Sequence, residues 1–229
     1  MRGLARRATL LPLIALAACS GEPTGLKNLV EREPVFPAAD RPVAEIVSSR
    51  WSNEEARDRL NEAQQVMDLA GIKPGMTVAD IGAGEGYYTI RLAQRVGANG
   101  RVLAQDIVPQ VRDALAARVA RERLANVSVR LGLPEDPRLP PASFDRVLMV
   151  HMYHEIGEPY EFLWRLRPAL KAGGEVIVVD ADRLTQNHGT PPALLNCELA
   201  AVGYERVSSR PMPSAGGYFA VFRAVGRSE

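Results

Sequence analysis

From residue 77 onward the chain alternates two hydrophobic patterns: short apolar runs, and longer segments whose apolar positions follow helical spacing. The runs predict strands over Thr77–Ile81, Arg101–Asp106, Val127–Leu131, Asp145–Val150 and Glu175–Asp180. The intervening segments predict helices over Glu85–Val96, stopped at Gly97, and Pro109–Leu124, with proline in the favoured first turn. Two more helices are expected over Tyr160–Leu170, disturbed at Pro168, and over Pro192–Val202. Tyr204–Arg210 and Gly217–Val225 are two final strands with no helix between them. Upstream, Ala56, Leu60, Ala63, Val66, Met67 and Ala70 share one helical face. A capping box of Ser52 and Glu55 opens that helix and Gly71 closes it.

Strand–helix alternation with apolar strands predicts an α/β fold, a doubly wound sheet of seven strands covered on both faces. It is mostly parallel, and the last two strands form a C-terminal antiparallel hairpin at one edge. Ligands of such sheets bind beyond the carboxyl ends of the strands, where strand order reverses. Candidate chemistry is therefore sought just after each strand.

Composition changes this picture little. The 229 residues are 46% hydrophobic and 24% charged, which excludes a disordered chain, a collagen-like repeat and a multi-span membrane protein. Two cysteines make neither a disulfide scaffold nor a zinc-type spacing. Net charge is +1, and the basic residues, nearly all arginine, are scattered among acids, so no nucleic-acid partner is expected.

The N-terminus adds an address. Arg2, Arg6 and Arg7 precede an uncharged apolar run, Ala8–Ala18, too short to span a bilayer but of signal-peptide length. Leu16-Ala17-Ala18-Cys19 then resembles the lipobox of bacterial lipoproteins. The expected layout is a signal peptide over 1–19 with lipidation at Cys19, a Pro- and Gly-rich tether over 20–50, and one domain over 51–229. This predicts a membrane partner through a lipid anchor and a location in the cell envelope, facing the periplasm on the outer membrane. Losing the three arginines leaves 25 basic against 27 acidic residues, so acyl chains rather than charge would hold the body there. Cys197, in a helical segment, is expected as a small core residue.

The first strand ends in Asp80-Ile81-Gly82-Ala83-Gly84-Glu85-Gly86-Tyr87, a D-x-G-x-G-x-G pattern. Glycines permit a tight turn and let a ligand approach the backbone. The spacing differs from the G-x-G-x-x-G of dinucleotide sites, which disfavours a nicotinamide-dependent oxidoreductase. Asp80 is a poor neighbour for pyrophosphate and suits a cationic ligand. Asp106, ending the second strand, can accept hydrogen bonds from two ribose hydroxyls.

On these residues, with Ser143-Phe144-Asp145 before the fourth strand and Lys171-Ala172-Gly173-Gly174 before the fifth, the chain from about Ser52 resembles class I S-adenosylmethionine-dependent methyltransferases. With its leader it is similar to exported or lipoprotein-type bacterial members, and more distantly to ubiquinone/menaquinone-biosynthesis methyltransferases. The resemblance implies a Rossmann-like fold, S-adenosyl-L-methionine as cofactor and a small-molecule acceptor. It implies that Gly82, Ala83, Gly84, Gly86 and Tyr87 form the methionine pocket, with Asp80 near the amino group. Asp106 would hold the ribose, Ile107 would pack on adenine, and Val150 would end the facing strand. Where many relatives have Gly-Asp-Ala, this chain has Gly132-Leu133-Pro134-Glu135-Asp136, which leaves the adenine contact to Glu135, Asp136 or backbone groups.

All three histidines follow the fourth or fifth strand: His151, His154 and His188. His154 and His151 are the candidate catalytic residues, positioning or deprotonating the acceptor, with Tyr153 on the rim. Asp180 and Asp182 complete the rim, and Asp180 is read as orienting a pocket group rather than abstracting a proton. Ligand spacing among His151, His154, Glu155 and His188 is not diagnostic, so no metal is expected. A methyl on a sulfonium is already activated, so alignment and exclusion of water carry most of the expected catalysis. The competing reading is a non-catalytic cofactor-binding or envelope protein on the same scaffold.

Overall fold

The computed structural model describes residues 35–46 and 53–226. The expected signal peptide, Cys19, Ser52 and most of the expected tether lie outside the described residues. Seven strands are present: β1 (Thr77–Ile81), β2 (Arg101–Asp106), β3 (Val127–Leu131), β4 (Phe144–Val150), β5 (Leu170–Asp180), β6 (Tyr204–Met212) and β7 (Gly217–Ala224). They form one sheet in the order β3-β2-β1-β4-β5-β7-β6. β1 to β5 pair in parallel, and β7 runs antiparallel to both β5 and β6. The expected fold class is the observed one.

Period-two alternation divides the strand residues between two faces. Val78, Leu148, Ile177, Val179, Phe219 and Val221 face a core built with helices α2 (Glu62–Leu69) and α3 (Tyr87–Val96). Ala79, Ile81, Val147, Met149, Val176, Val178 and Phe222 face the other side, under α5 (Pro159–Leu166) and α6 (Pro192–Ala201). Each fully buried Val, Leu or Ile among them contributes roughly 1.5–3 kcal/mol. α4 (Pro109–Arg121) closes a small third cluster through Leu115 against Ala83 and Ala104. Among the described residues, no helix is long and apolar enough to cross a membrane.

The structure differs from the sequence reading in several places. The N-terminal helix is broken into α1 (Glu54–Arg59) and α2, because Asn61 takes a left-handed conformation (φ 53°). Asparagine tolerates that region. The break throws Leu60 out of the apolar stripe, leaving it 55% exposed. The N-cap of α1 is Asn53, whose side chain accepts from the Ala56 N–H at 3.0 Å. β5 starts at Leu170, since α5 stops at Leu166 and Pro168 sits in a short 3-10 turn. Residues 35–46, expected as tether, pack on the domain. The Arg41 guanidinium is buried against Glu198 (2.8 Å), and the Ala44 N–H donates to the His154 carbonyl. Cys197 is half-buried on α6 rather than in the core.

Candidate functional site

Strand order reverses at β1, between β2 and β4, and a cleft of about 1120 Å³, counting its open mouth, lies beyond the carboxyl ends of these strands. Its floor is the turn from β1 to α3. Gly82, Gly84 and Gly86 all have positive φ (65°, 54° and 91°). At Gly86 a Cβ would fall 2.5 Å from the Leu115 Cδ1, so a side chain there would displace that buried methyl of α4. At Gly84 a Cβ would meet nothing within 4 Å, because the backbone there borders open space.

Asp106 pins this turn. Its Oδ2 accepts from the Gly84 N–H (3.0 Å) and its Oδ1 from the Val108 N–H (2.9 Å). Each carboxylate oxygen retains acceptor capacity toward the cleft, which Asp106 lines. Asp80 lies deeper, accepting from the Thr89 hydroxyl at 2.6 Å. Burial pushes its carboxyl up to about 6, against the pull of that bond. Asp80, Gly82, Ala83, Gly84, Tyr87, Asp106, Ile107 and Val150 line the cleft as the sequence predicts. Gly86 shapes the turn from outside the lining, as the N-cap of α3.

The sequence-predicted catalytic residues separate. His151 lines the cleft, with a left-handed backbone (φ 56°) and its Nε2 3.5 Å from Glu62 Oε1. Tyr153 is fully buried outside the lining, and its hydroxyl donates to Glu198 (2.7 Å). That bond, and burial among α5 and α6 residues, make it a packing residue rather than part of the rim. His154 is also outside the lining; it is 1% exposed, with Nδ1 at 3.0 Å from Asp180. Glu135 does not reach the cleft, because Pro134 takes the lining position.

Four residues are missed by sequence reasoning. Arg57 of α1 and Glu62 of α2 meet across the Asn61 break: Arg57 Nε and Nη2 donate to Glu62 at 3.0 and 2.6 Å. Glu62 also accepts from the Tyr88 hydroxyl (2.9 Å). Burial would raise the Glu62 carboxyl, but His151 and Arg57 outweigh it and hold it at about 2. Arg57 lines the cleft and lies 3.9 Å over the Tyr87 ring. On β2, Gln105 lines the cleft with Nε2 buried and lacking a hydrogen-bond partner among the described residues. Met152 packs against Gly82, where a Cβ would lie 2.9 Å from its Cγ.

The donor and acceptor set fits a nucleoside bearing an amino acid better than a dinucleotide. An unpartnered amide donor suits a purine nitrogen, Asp106 suits vicinal hydroxyls, and Asp80 and Arg57 offer opposite charges to a zwitterion. Ile46, Met152, Ile156 and Phe162 give the cleft apolar lining with the Glu155 carboxylate among them, and Glu54 and Glu85 also line it.

Comparison with known proteins agrees. Residues 78–174 match a family described as "Methyltransferase domain". Nocamycin O-methyltransferase of Saccharothrix syringae is 41% identical over 85 residues, covering 37% of this chain and 30% of that one. The ubiquinone/menaquinone biosynthesis C-methyltransferase of Hydrogenovibrio crunogenus is 30% identical over 129 residues, covering 54% and 49%. The chain thus spans less than half the length of these two curated relatives. A solved S-adenosylmethionine-dependent methyltransferase from Aquifex aeolicus has the same fold, with a TM-score of 0.64 at 22% identity, covering 75% of this chain and 97% of that one. The matched segment is thus similar to methyltransferases, and the fold is that of a solved S-adenosylmethionine-dependent one.

Proposed function

We propose that the protein transfers a methyl group from S-adenosylmethionine to a small, largely apolar acceptor. The observation that carries this reading is the pairing of Asp106 with the Gly84 N–H at the mouth of an open glycine turn. It sets one carboxylate and one bare stretch of backbone at the same point, where a sugar and its neighbours can lie. In this reading Asp106 accepts from the ribose hydroxyls, Ile107 packs on the base and Gln105 donates to it. Asp80 takes the ammonium. Arg57, whose Nη1 donates to no described residue, takes the carboxylate. The bound cofactor supplies an electrophilic methyl on a positive sulfur. The chain's own residues orient the acceptor in the Ile46–Phe162 end and exclude water. His151, fixed by Glu62, positions rather than deprotonates.

The test is incubation of the protein with methyl-labelled cofactor and a panel of small hydroxylated and quinone-like aromatics. Label in an acceptor supports the reading. Cofactor binding with no transfer to any of them would favour the non-catalytic alternative.

Asp80 makes the proposed binding pH-dependent. With its carboxyl near 6, it is protonated below that pH and has no charge to offer an ammonium. Affinity for S-adenosylhomocysteine should rise as pH increases from 5 to 7 and then level off. Calorimetry in buffers of different ionisation enthalpy should show proton release near pH 6. In Asp80→Asn the slope should vanish. For the ligand-free fold the sign is opposite. Asp80 is raised above its ordinary 3.8, so the folded state keeps a proton the unfolded state has lost. Stability therefore falls as pH rises across that window.

The N-terminal charge, apolar run and Cys19 support an exported lipoprotein as the location. Labelled palmitate in the membrane fraction would test it, and unlabelled cytosolic protein would overturn it.

A further inference from the structure

We infer that His154, Glu155 and His188 form a binding site for a divalent transition-metal ion beside the acceptor end of the cleft. One ligand atom from each of the three lies within 4.8 Å of the others. An ion with bonds of about 2.0–2.1 Å holds tetrahedral ligands about 3.4 Å apart, so side-chain rotations of an ångström or so complete the set.

The histidine chemistry supplies an independent argument. His154 Nδ1 faces both oxygens of Asp180, at 3.1 and 3.0 Å. Asp180 also accepts from the Thr190 hydroxyl (2.7 Å) and the Ala181 N–H (2.9 Å). A carboxylate that accepts two other bonds takes the proton of Nδ1 as a third. That fixes the tautomer and leaves a lone pair on Nε2. This atom is buried and has no hydrogen-bond partner among the described residues, a costly arrangement for an imidazole without a ligand. A histidine whose far nitrogen is held by a carboxylate is the arrangement that orients and strengthens a metal ligand.

The fold brings the three together. His154 and Glu155 sit in the 3-10 turn after β4, and His188 follows a 3-10 turn in the loop after β5. His188 has a left-handed backbone (φ 57°), and its ring lies edge-on to His154, 5.6 Å between centroids. Two imidazoles and one carboxylate suit Zn²⁺, Fe²⁺ or Co²⁺ better than Mg²⁺ or Ca²⁺. Three protein ligands leave a coordination position open. Glu155 also lines the cleft, so the ion would lie at its acceptor end, where an acceptor oxygen could bind. That last role rests on the methyl-transfer reading; ion binding does not.

The experiment is equilibrium dialysis of the chelator-treated full chain against Zn²⁺, with Co²⁺ absorption as a second probe. One zinc per chain is expected. His188→Ala, at a half-buried site, should weaken it at least 100-fold, and Asp180→Asn about 10- to 100-fold, the usual cost of losing an outer partner. Cobalt should give visible bands that His188→Ala abolishes. Equal zinc retention by the wild type and by a His154→Ala/His188→Ala variant would overturn the site, as would no retention by the folded wild type. Titration of the same samples with S-adenosylhomocysteine keeps the two readings apart. Ion loss with unchanged nucleoside affinity separates the sites, and absent nucleoside binding in the wild type sinks methyl transfer alone.

Discussion

Replacing Asp106 with alanine should cut affinity for S-adenosylhomocysteine by about 100- to 1000-fold, because two charge-assisted hydrogen bonds of about 1.5–2 kcal/mol each disappear. The variant also frees the Gly84 and Val108 N–H groups that the carboxylate accepts from. Gly84 borders the open cleft and Val108 is only partly buried, so water can replace the lost acceptor and the cost to folding should stay near 1–2 kcal/mol. Calorimetric titration reads the first effect and thermal melting the second. An unchanged dissociation constant in a folded variant would contradict the assignment of this cleft.

Glu62→Ala should act mainly on stability. The side chain is 4% exposed and bonds Arg57 and Tyr88, with His151 alongside. Removing it leaves a guanidinium, itself only 13% exposed, without its anion. Breaking a buried pair of this kind costs about 3–5 kcal/mol. Denaturant unfolding should show that loss at pH 7 and a smaller one in acid. The sign follows from the depressed carboxyl. Its contribution is complete above the ordinary value of 4.5 and is lost as pH falls toward about 2. Wild type and variant should therefore converge in acid. Glu62→Gln, which keeps the shape but not the charge, should fall between them. Equal stability of Glu62→Ala and wild type at pH 7 would mean that this cluster does not hold α1 to the domain.

Much of this molecule is legible in its sequence, for identifiable reasons. The strands are short, apolar and bounded by turns, so β1, β2 and β3 begin and end where the pattern places them. Asp80, the glycines and Asp106 are legible because they follow strands that meet at the reversal in strand order. Asp180 does bond another side chain, but that side chain is His154, which lies outside the cleft lining, and not a pocket group as the sequence suggests. The rest depends on separations no local pattern carries. Arg57 and Glu62 are five apart, a spacing that would put them on different faces of one continuous helix. Only the left-handed Asn61 lets them pair. Tyr153 and His154 are neighbours in the chain, yet they point to Glu198 and Asp180, on α6 and β5. Arg41 looked like tether because its buried partner lies 157 positions away. Glu135 is misplaced because the turn after β3 presents Pro134 instead.

α1 has a further consequence for the molecule's behaviour in solution. It buries no residue of its own. Its ties to the body are Glu54 with Arg91 and Arg118, Asp58 with Arg91 and the Tyr87 hydroxyl, and the Arg57 pair. Most of these are partly exposed and open to screening by dissolved ions. The sheet and its apolar cores are not. Raising sodium chloride from 0.05 to 1 M should therefore speed hydrogen exchange in α1 while the β4 and β5 amides stay protected. Because Glu54 and Arg57 border the cleft, ionic strength becomes a dial on how readily a nucleoside enters and leaves.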